Sequence, residues 1–263
     1  MPRVVYWNPR RKLGSGRVTA RIHVGPRVNN FGDLLGPEIV ARIARSRGLE
    51  ERPELRRILT VGSILHLARP GDVVWGSGAN VKEPAPIPRD LDVRAVRGPL
   101  TAARLREGGN RSSEVFGDPA LLLPHLWTDE ELGIVRGSGG TVLVPNLHDR
   151  HRFPPTALSP RGPALEKVRQ IASADSVIAS SLHGIVVAEA FGVPAVLVAA
   201  STEPAFKYED YYAGTGRALP VAASDWRAAL DTPPAPPLRG WDAAALLEAF
   251  PDDLWSTSAA QTP

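Results

Sequence analysis

Apolar residues in this chain gather in short runs, many of them β-branched. Between these runs lie longer stretches in which apolar positions recur at helical spacing. The short runs predict strands at 3–7, 18–24, 58–62, 72–75, 92–96, 114–116, 141–145, 174–179 and 195–198. Helical spacing predicts helices at 38–45, 97–106, 164–172, 185–191 and around 243–250, the second with Pro99 near its first turn, where a missing N–H costs least. The most informative stretch is 174–198. It reads as a strand, a polar turn Ser180-Ser181-Leu182-His183-Gly184, a helix, a glycine stop and a second buried strand, which is one βαβ unit. Such a turn lies at the carboxyl edge of a parallel sheet, where the next helix aims unpaired N–H groups outward and can meet an anion.

Alternating strand and helix signals imply an α/β protein with doubly wound parallel sheets. The two sets of signals imply two Rossmann-like halves facing a cleft, with boundaries at 1–127 and 139–224 and a helical segment at 225–263. Several turns are placed to face that cleft. Asn30-Phe31-Gly32-Asp33, within the turn-rich stretch 28–37, precedes the helix at 38–45. Gly76-Ser77-Gly78 ends a strand and lets backbone approach a ligand. Arg97 stands just before a helix start, and Gly117-Asp118-Pro119 forms a turn in which Asp118 reads first as a structural residue. Residues 145–163 hold several prolines and read as a long irregular loop, a mobile lid or a poorly ordered connector.

Composition narrows the chemistry. The 263 residues include no cysteine, which excludes disulfides, thiolate metal sites and a cysteine nucleophile. His148 and His151 are spaced for a shared metal but have no third ligand in view, so no metal is expected. No run approaches the roughly 18 apolar residues of a membrane span, and the start of the chain lacks an apolar signal core, so a cytoplasmic protein is expected. Net charge is only +3, yet Arg3, Arg10, Arg11, Lys12, Arg17, Arg21 and Arg27 all precede the first acid, Asp33. This basic run reads as a solvated arm or as an attraction to phosphorylated substrate or an anionic lipid surface. The GxGxxG spacing of dinucleotide sites is absent, and no aromatic-interleaved basic platform supports nucleic-acid binding.

In this order, Asn30-Phe31-Gly32-Asp33, Trp75-Gly76-Ser77-Gly78, Val96-Arg97-Gly98-Pro99, Gly117-Asp118-Pro119-Ala120, Ser180-Ser181-Leu182-His183-Gly184, Glu189-Ala190-Phe191-Gly192-Val193-Pro194 and Lys207-Tyr208-Glu209-Asp210-Tyr211 resemble the polysaccharide pyruvyl transferase family. The subset that adds a ketal pyruvate to exopolysaccharide is the nearest likeness. The resemblance implies a fold similar to B-type glycosyltransferases and transfer of pyruvate from phosphoenolpyruvate onto two sugar hydroxyls, with release of phosphate. It implies no cofactor beyond that donor. Many members carry arginine before Leu-His-Gly, where this chain has Ser181.

Ketal formation needs a proton donor and acceptor, fixed positive groups around two anionic groups, and a dry setting. His183 is the expected acid/base. Asp33 and Asn30 are expected to bind or deprotonate sugar hydroxyls, unless they only cap the helix that follows. Arg97 is expected to grip phosphate or carboxylate, unless it pairs with a protein carboxylate. Lys207 is expected to supply the charge that Ser181 lacks, Ser180 and Ser181 to donate hydroxyl bonds or cap a helix, and Gly76, Ser77 and Gly78 to touch substrate through backbone. The acceptor is expected to be a sugar, glycan or lipid-linked oligosaccharide, met at the inner membrane face. Two other readings remain open: a B-type glycosyltransferase using a nucleotide sugar, and a sugar-binding relative without catalysis.

Overall fold

A computed structural model describes residues 2–10, 24–50, 52, 56–83 and 85–257. The strand expected at 18–24 falls almost wholly outside the described residues, as do four cations of the basic run, Arg11, Lys12, Arg17 and Arg21. The first part of the chain contains β1 (Arg3–Val5), α1 (Phe31–Ser46), β2 (Leu49–Glu50), β3 (Arg57–Leu59), β4 (Val73–Ser77), β5 (Asp92–Val96) and α2 (Pro99–Glu107). After a 3-10 turn at Pro119–Leu122 come α3 (Leu123–Leu126) and α4 (Asp129–Leu132). The rest contains β6 (Thr141–Val144), α5 (Ala164–Ala172), β7 (Ser176–Ala179), α6 (Leu182–Ala190), β8 (Ala195–Leu197), α7 (Phe206–Gly214), α8 (Ala243–Glu248) and β9 (Ser256–Thr257).

The protein is α/β, with two parallel sheets. One has the strand order β1-β3-β4-β5 and the other β6-β7-β8. Single parallel bridges extend each sheet, Val96 to Phe116 and Val198 to Ala223. The strand expected at 114–116 is therefore reduced to one bridge. Strand order is sequential in both sheets, so among the described strands there is no reversal of the kind that defines a doubly wound sheet. One apolar core runs through both sheets, from Trp75 and Ala95 past Phe31 and Leu121 to Val144, Ile185 and Leu197. The end of the chain returns to the first sheet. Trp75 donates its indole N–H to the Leu246 carbonyl at 2.9 Å, Phe250 meets the Trp75 ring edge-on, and β9 pairs with β2.

Helix α1 corrects the expected boundary. The stretch 28–37 reads as turn-rich, yet the helix begins at Phe31 and carries Pro37 inside it. Phe31, Leu35, Ile39 and Ile43 fall at successive four-residue steps and are all buried. Burying four such side chains is worth about 1.5–3 kcal/mol each, more than the cost of Gly32, Gly36 and a proline in the helix. Asp33 is thereby held in a first helical turn rather than on a loop. Helix α6 is buried from Leu182 to Glu189 and packs between its own sheet and the 3-10 turn at 119–122, so this turn and the start of α6 become neighbours.

The irregular stretch 145–163 is neither a free lid nor a loose connector. Arg152 donates to the carbonyls of Ala199 and Ser224, Arg150 to those of Pro154 and Pro155, and the buried Asp149 accepts from the Ser201 N–H at 3.1 Å. Side chains satisfy the backbone groups that no sheet or helix takes up.

Candidate functional site

A cleft of about 250 Å³ opens where the carboxyl edges of the two sheets meet. Its wall is built from segments that follow parallel strands: Ser63 and His66 after β3, Asn80 and Lys82 after β4, Asn146 and His148 after β6, Ser181 and His183 after β7, Glu203 and Lys207 after β8. Asn30 and Asp33 complete it from the start of α1. Five expected site residues, Asn30, Asp33, Ser181, His183 and Lys207, come together here although they span most of the chain.

His183 is the second residue of α6, and Ser181 caps that helix by accepting the Gly184 N–H at 3.3 Å. The His183 side chain is 11% exposed, and its Nε2 lies 3.6 Å from Oδ2 of the fully buried Asp118. Neither of these two atoms has a hydrogen-bond partner. Asp118 Oδ1 accepts the Ala120 N–H at 3.0 Å, capping the 3-10 turn. One oxygen thus serves the turn, as expected, and the other faces the histidine. The ring is wedged against α1 at Gly32, where any β-carbon would overlap the imidazole. Glycine is needed at 32 because of this close approach.

Asp33 sits beside this ring. Burial pushes its carboxyl above the usual range, outweighing the pull of His183 and of the Asn30 amide, which donates to Oδ2 at 2.5 Å. Burial also pushes Lys207 down, although Glu203 opposes that shift from 3.0 Å. Glu203 is held below the usual range: burial raises it, and Lys207 and Lys82 together outweigh that effect. Burial pushes the cleft-lining His66 down, so its imidazole is neutral at pH 7, and its Nδ1 has no protein partner.

Five other expected site residues do not line the cleft. Arg97 is fully buried and pairs with Asp210 of α7, Nε to Oδ2 at 3.0 Å, while one Nη donates to Ser63 Oγ at 2.7 Å. The carboxylate pairing left open for it is the one observed, with a partner 113 positions away in the chain. Gly78 packs flat against its guanidinium, Ser77 Oγ donates to the Gly62 carbonyl at 3.0 Å, and Gly76, at φ +82°, backs onto Pro119. These three residues support the cleft from behind. Ser180 Oγ accepts the Asn146 N–H at 2.9 Å and is buried. Ser63, His66, Lys82, Asn146 and Glu203 escape sequence reasoning because none stands in a motif that marks it. For Lys82, a charge just beyond the turn Gly76-Ser77-Gly78 was the only signal. His148 lines the cleft and His151 is exposed outside it. Among the described residues no three His, Cys, Asp or Glu side chains gather to hold a metal ion.

The family model described as polysaccharide pyruvyl transferase matches residues 57–202. The chain belongs to the polysaccharide pyruvyl transferase family. The matched residues include Lys82, Arg97, Asp118, Ser181 and His183, whereas Asn30, Asp33, Glu203 and Lys207 lie outside them. The chain is also similar to the succinoglycan biosynthesis protein ExoV of Rhizobium meliloti (strain 1021), with 31% identity over 133 residues. That match covers 47% of this chain and 40% of the relative, less than half of either. No solved structure matches.

Proposed function

We propose that this polysaccharide pyruvyl transferase moves pyruvate from phosphoenolpyruvate onto two hydroxyls of one sugar, in a glycan or lipid-linked precursor, forming a cyclic ketal and releasing phosphate. The observation that carries this reading is the His183–Asp118 pair, with His183 lining the cleft between the two sheet edges and Asp118 buried behind it. A carboxylate facing an imidazole nitrogen is an arrangement that suits a positioned acid.

In the proposed reaction His183 delivers a proton to C3 of the donor, leaving C2 an oxygen-stabilised cation. A sugar hydroxyl adds to C2 and loses its proton to Asp33, whose raised affinity for protons fits a base that must also give the proton up. The C2–O bond to phosphate then breaks with its electron pair going to phosphate, and the second hydroxyl closes the ring on C2. Its proton leaves with phosphate. Neutral His66 and the amide of Asn80 are suited to hold sugar hydroxyls.

The same reading assigns the acceptor to 1–127 and the donor to 139–224 in an arrangement similar to B-type glycosyltransferases, with 225–263 as an appended segment. Because phosphoenolpyruvate is cytosolic, it places the protein in the cytoplasm, with the basic run near residue 10 at the inner membrane face. Among the described residues no helix is long and apolar enough to cross a membrane.

Thermal melting tests the donor class without knowledge of the acceptor. Phosphoenolpyruvate is expected to raise the melting temperature and nucleoside diphosphates to leave it unchanged, since only a ligand of the folded state stabilises it. The reverse result makes the cleft a nucleotide-sugar site. Phosphate release in the presence of an acceptor then separates a transferase from a sugar binder.

A further inference from the structure

Lys82, from the loop after β4, and Lys207, from α7, both line the cleft and grip one carboxylate. Lys82 Nζ lies 2.8 Å from Glu203 Oε1, and Lys207 Nζ lies 3.0 Å from Oε2. Glu203 stands in the bend between β8 and α7, outside any strand or helix. Two ammonium groups closing on the two oxygens of one anion is also how a phosphate would be held.

The charge balance of the wall makes this carboxylate significant. Two lysines, Lys82 and Lys207, face three acids, Asp33, Glu83 and Glu203, so the lysine and carboxylate side chains of the lining supply no net positive charge. A phosphoenolpyruvate anion would be repelled from such a wall unless a carboxylate left it. Behind the wall, the buried Arg97 guanidinium adds a fixed charge close enough to oppose protonation of Lys207, and its Nη2 has no partner. A phosphate carries about two negative charges near neutral pH, against one for Glu203, so it makes stronger contacts with the same two lysines.

We propose that Lys82 and Lys207 form the site for the donor's phosphate group, and that Glu203 is the resident counter-ion which this phosphate displaces. The proposal rests on the phosphoenolpyruvate reading above. It supplies the positive groups that the cleft needs with Ser181 in the place of an arginine.

Calorimetric titration of the full chain with inorganic phosphate and with phosphoenolpyruvate tests it. Glu203→Gln removes the competing charge while keeping size, and is expected to tighten both ligands about fivefold, the scale of one partly screened charge pair. Glu203→Ala, judged folded by its melting curve, should change affinity in the same direction. Lys207→Met, at the more buried lysine, is expected to weaken both ligands at least about tenfold, and the exposed Lys82→Met less. If both Glu203 variants bind phosphate no more tightly than the parent, Glu203 organises the lysines instead of screening them and the proposal falls, while parent binding of phosphoenolpyruvate leaves the donor reading intact. If the parent binds a nucleoside diphosphate and not phosphoenolpyruvate, the donor reading falls and takes this one with it.

Discussion

Two buried aspartates in this protein each face a nitrogen-bearing side chain, and they are built in opposite ways. Asp210 is saturated. It accepts from Arg97 Nε at 3.0 Å, from the Thr101 N–H at 2.9 Å and from the Thr101 hydroxyl at 2.6 Å, and neither it nor Arg97 is exposed. This pair ties α7 to the start of α2, and its groups lie behind the cleft wall with only Arg97 Nη2 unpartnered. Asp118 is satisfied at only one oxygen, and its other oxygen faces an equally unpartnered His183 Nε2 across 3.6 Å, at the edge of the cleft. A saturated pair holds shape, whereas an unsaturated one next to a cavity keeps polar atoms in reserve at an energetic cost that packing alone would not retain.

The largest expected effect comes from breaking the open pair. His183→Gln should lower phosphate release with phosphoenolpyruvate and acceptor by about 10²–10⁴-fold while moving the melting temperature little. Adding Asp118→Asn should then cost little more, because groups that act as a unit are not additive. Equal activity of His183→Gln and the parent would reduce this pair to the structural status of the other. Breaking the closed pair should show the opposite pattern. Arg97→Met leaves a buried Asp210 charge uncompensated and should cost about 3–5 kcal/mol of stability, read as a lower denaturant midpoint. Asp210→Asn keeps an oxygen for the Thr101 N–H and should cost less.

The smallest effect sharpens the comparison through pH. The Asp33 carboxyl is raised in the folded protein, so the folded state binds a proton more readily than the unfolded chain. Stability is therefore full below the ordinary carboxylate range and is lost as pH rises through the raised value. Asp33→Asn removes that loss. It should melt higher than the parent at pH 7, with the difference vanishing in acid, and with turnover reduced. A variant that melts lower at pH 7 would mean that Asp33 is a structural partner of Asn30.

The βαβ unit around Ser181 and His183 was legible in the sequence because period, turn residues and glycine stop all agree there. The strand at 92–96, the strand expected at 141–145 and found at Thr141–Val144, and the helix at 164–172 were legible for the same reason. Misreadings arose where long-range packing outweighed local preference. Gly32, Gly36 and Pro37 signal a turn locally, yet four buried apolar side chains carry the helix through them. Arg97, seen only with its chain neighbours, looks like an anion grip, and nothing within its own motif announces Asp210.

The sequence alone determined the α/β class, the parallel connections and the histidine at a helix start facing a sheet edge, because these follow from periodicity and capping within about 25 residues. Only the tertiary structure decided which charges are available. Charge availability depends on partners far along the chain: Asp210 holds Arg97 behind the cleft wall, Asp118 is brought to His183 by the packing of α6, and Glu203 gathers two lysines from distant segments.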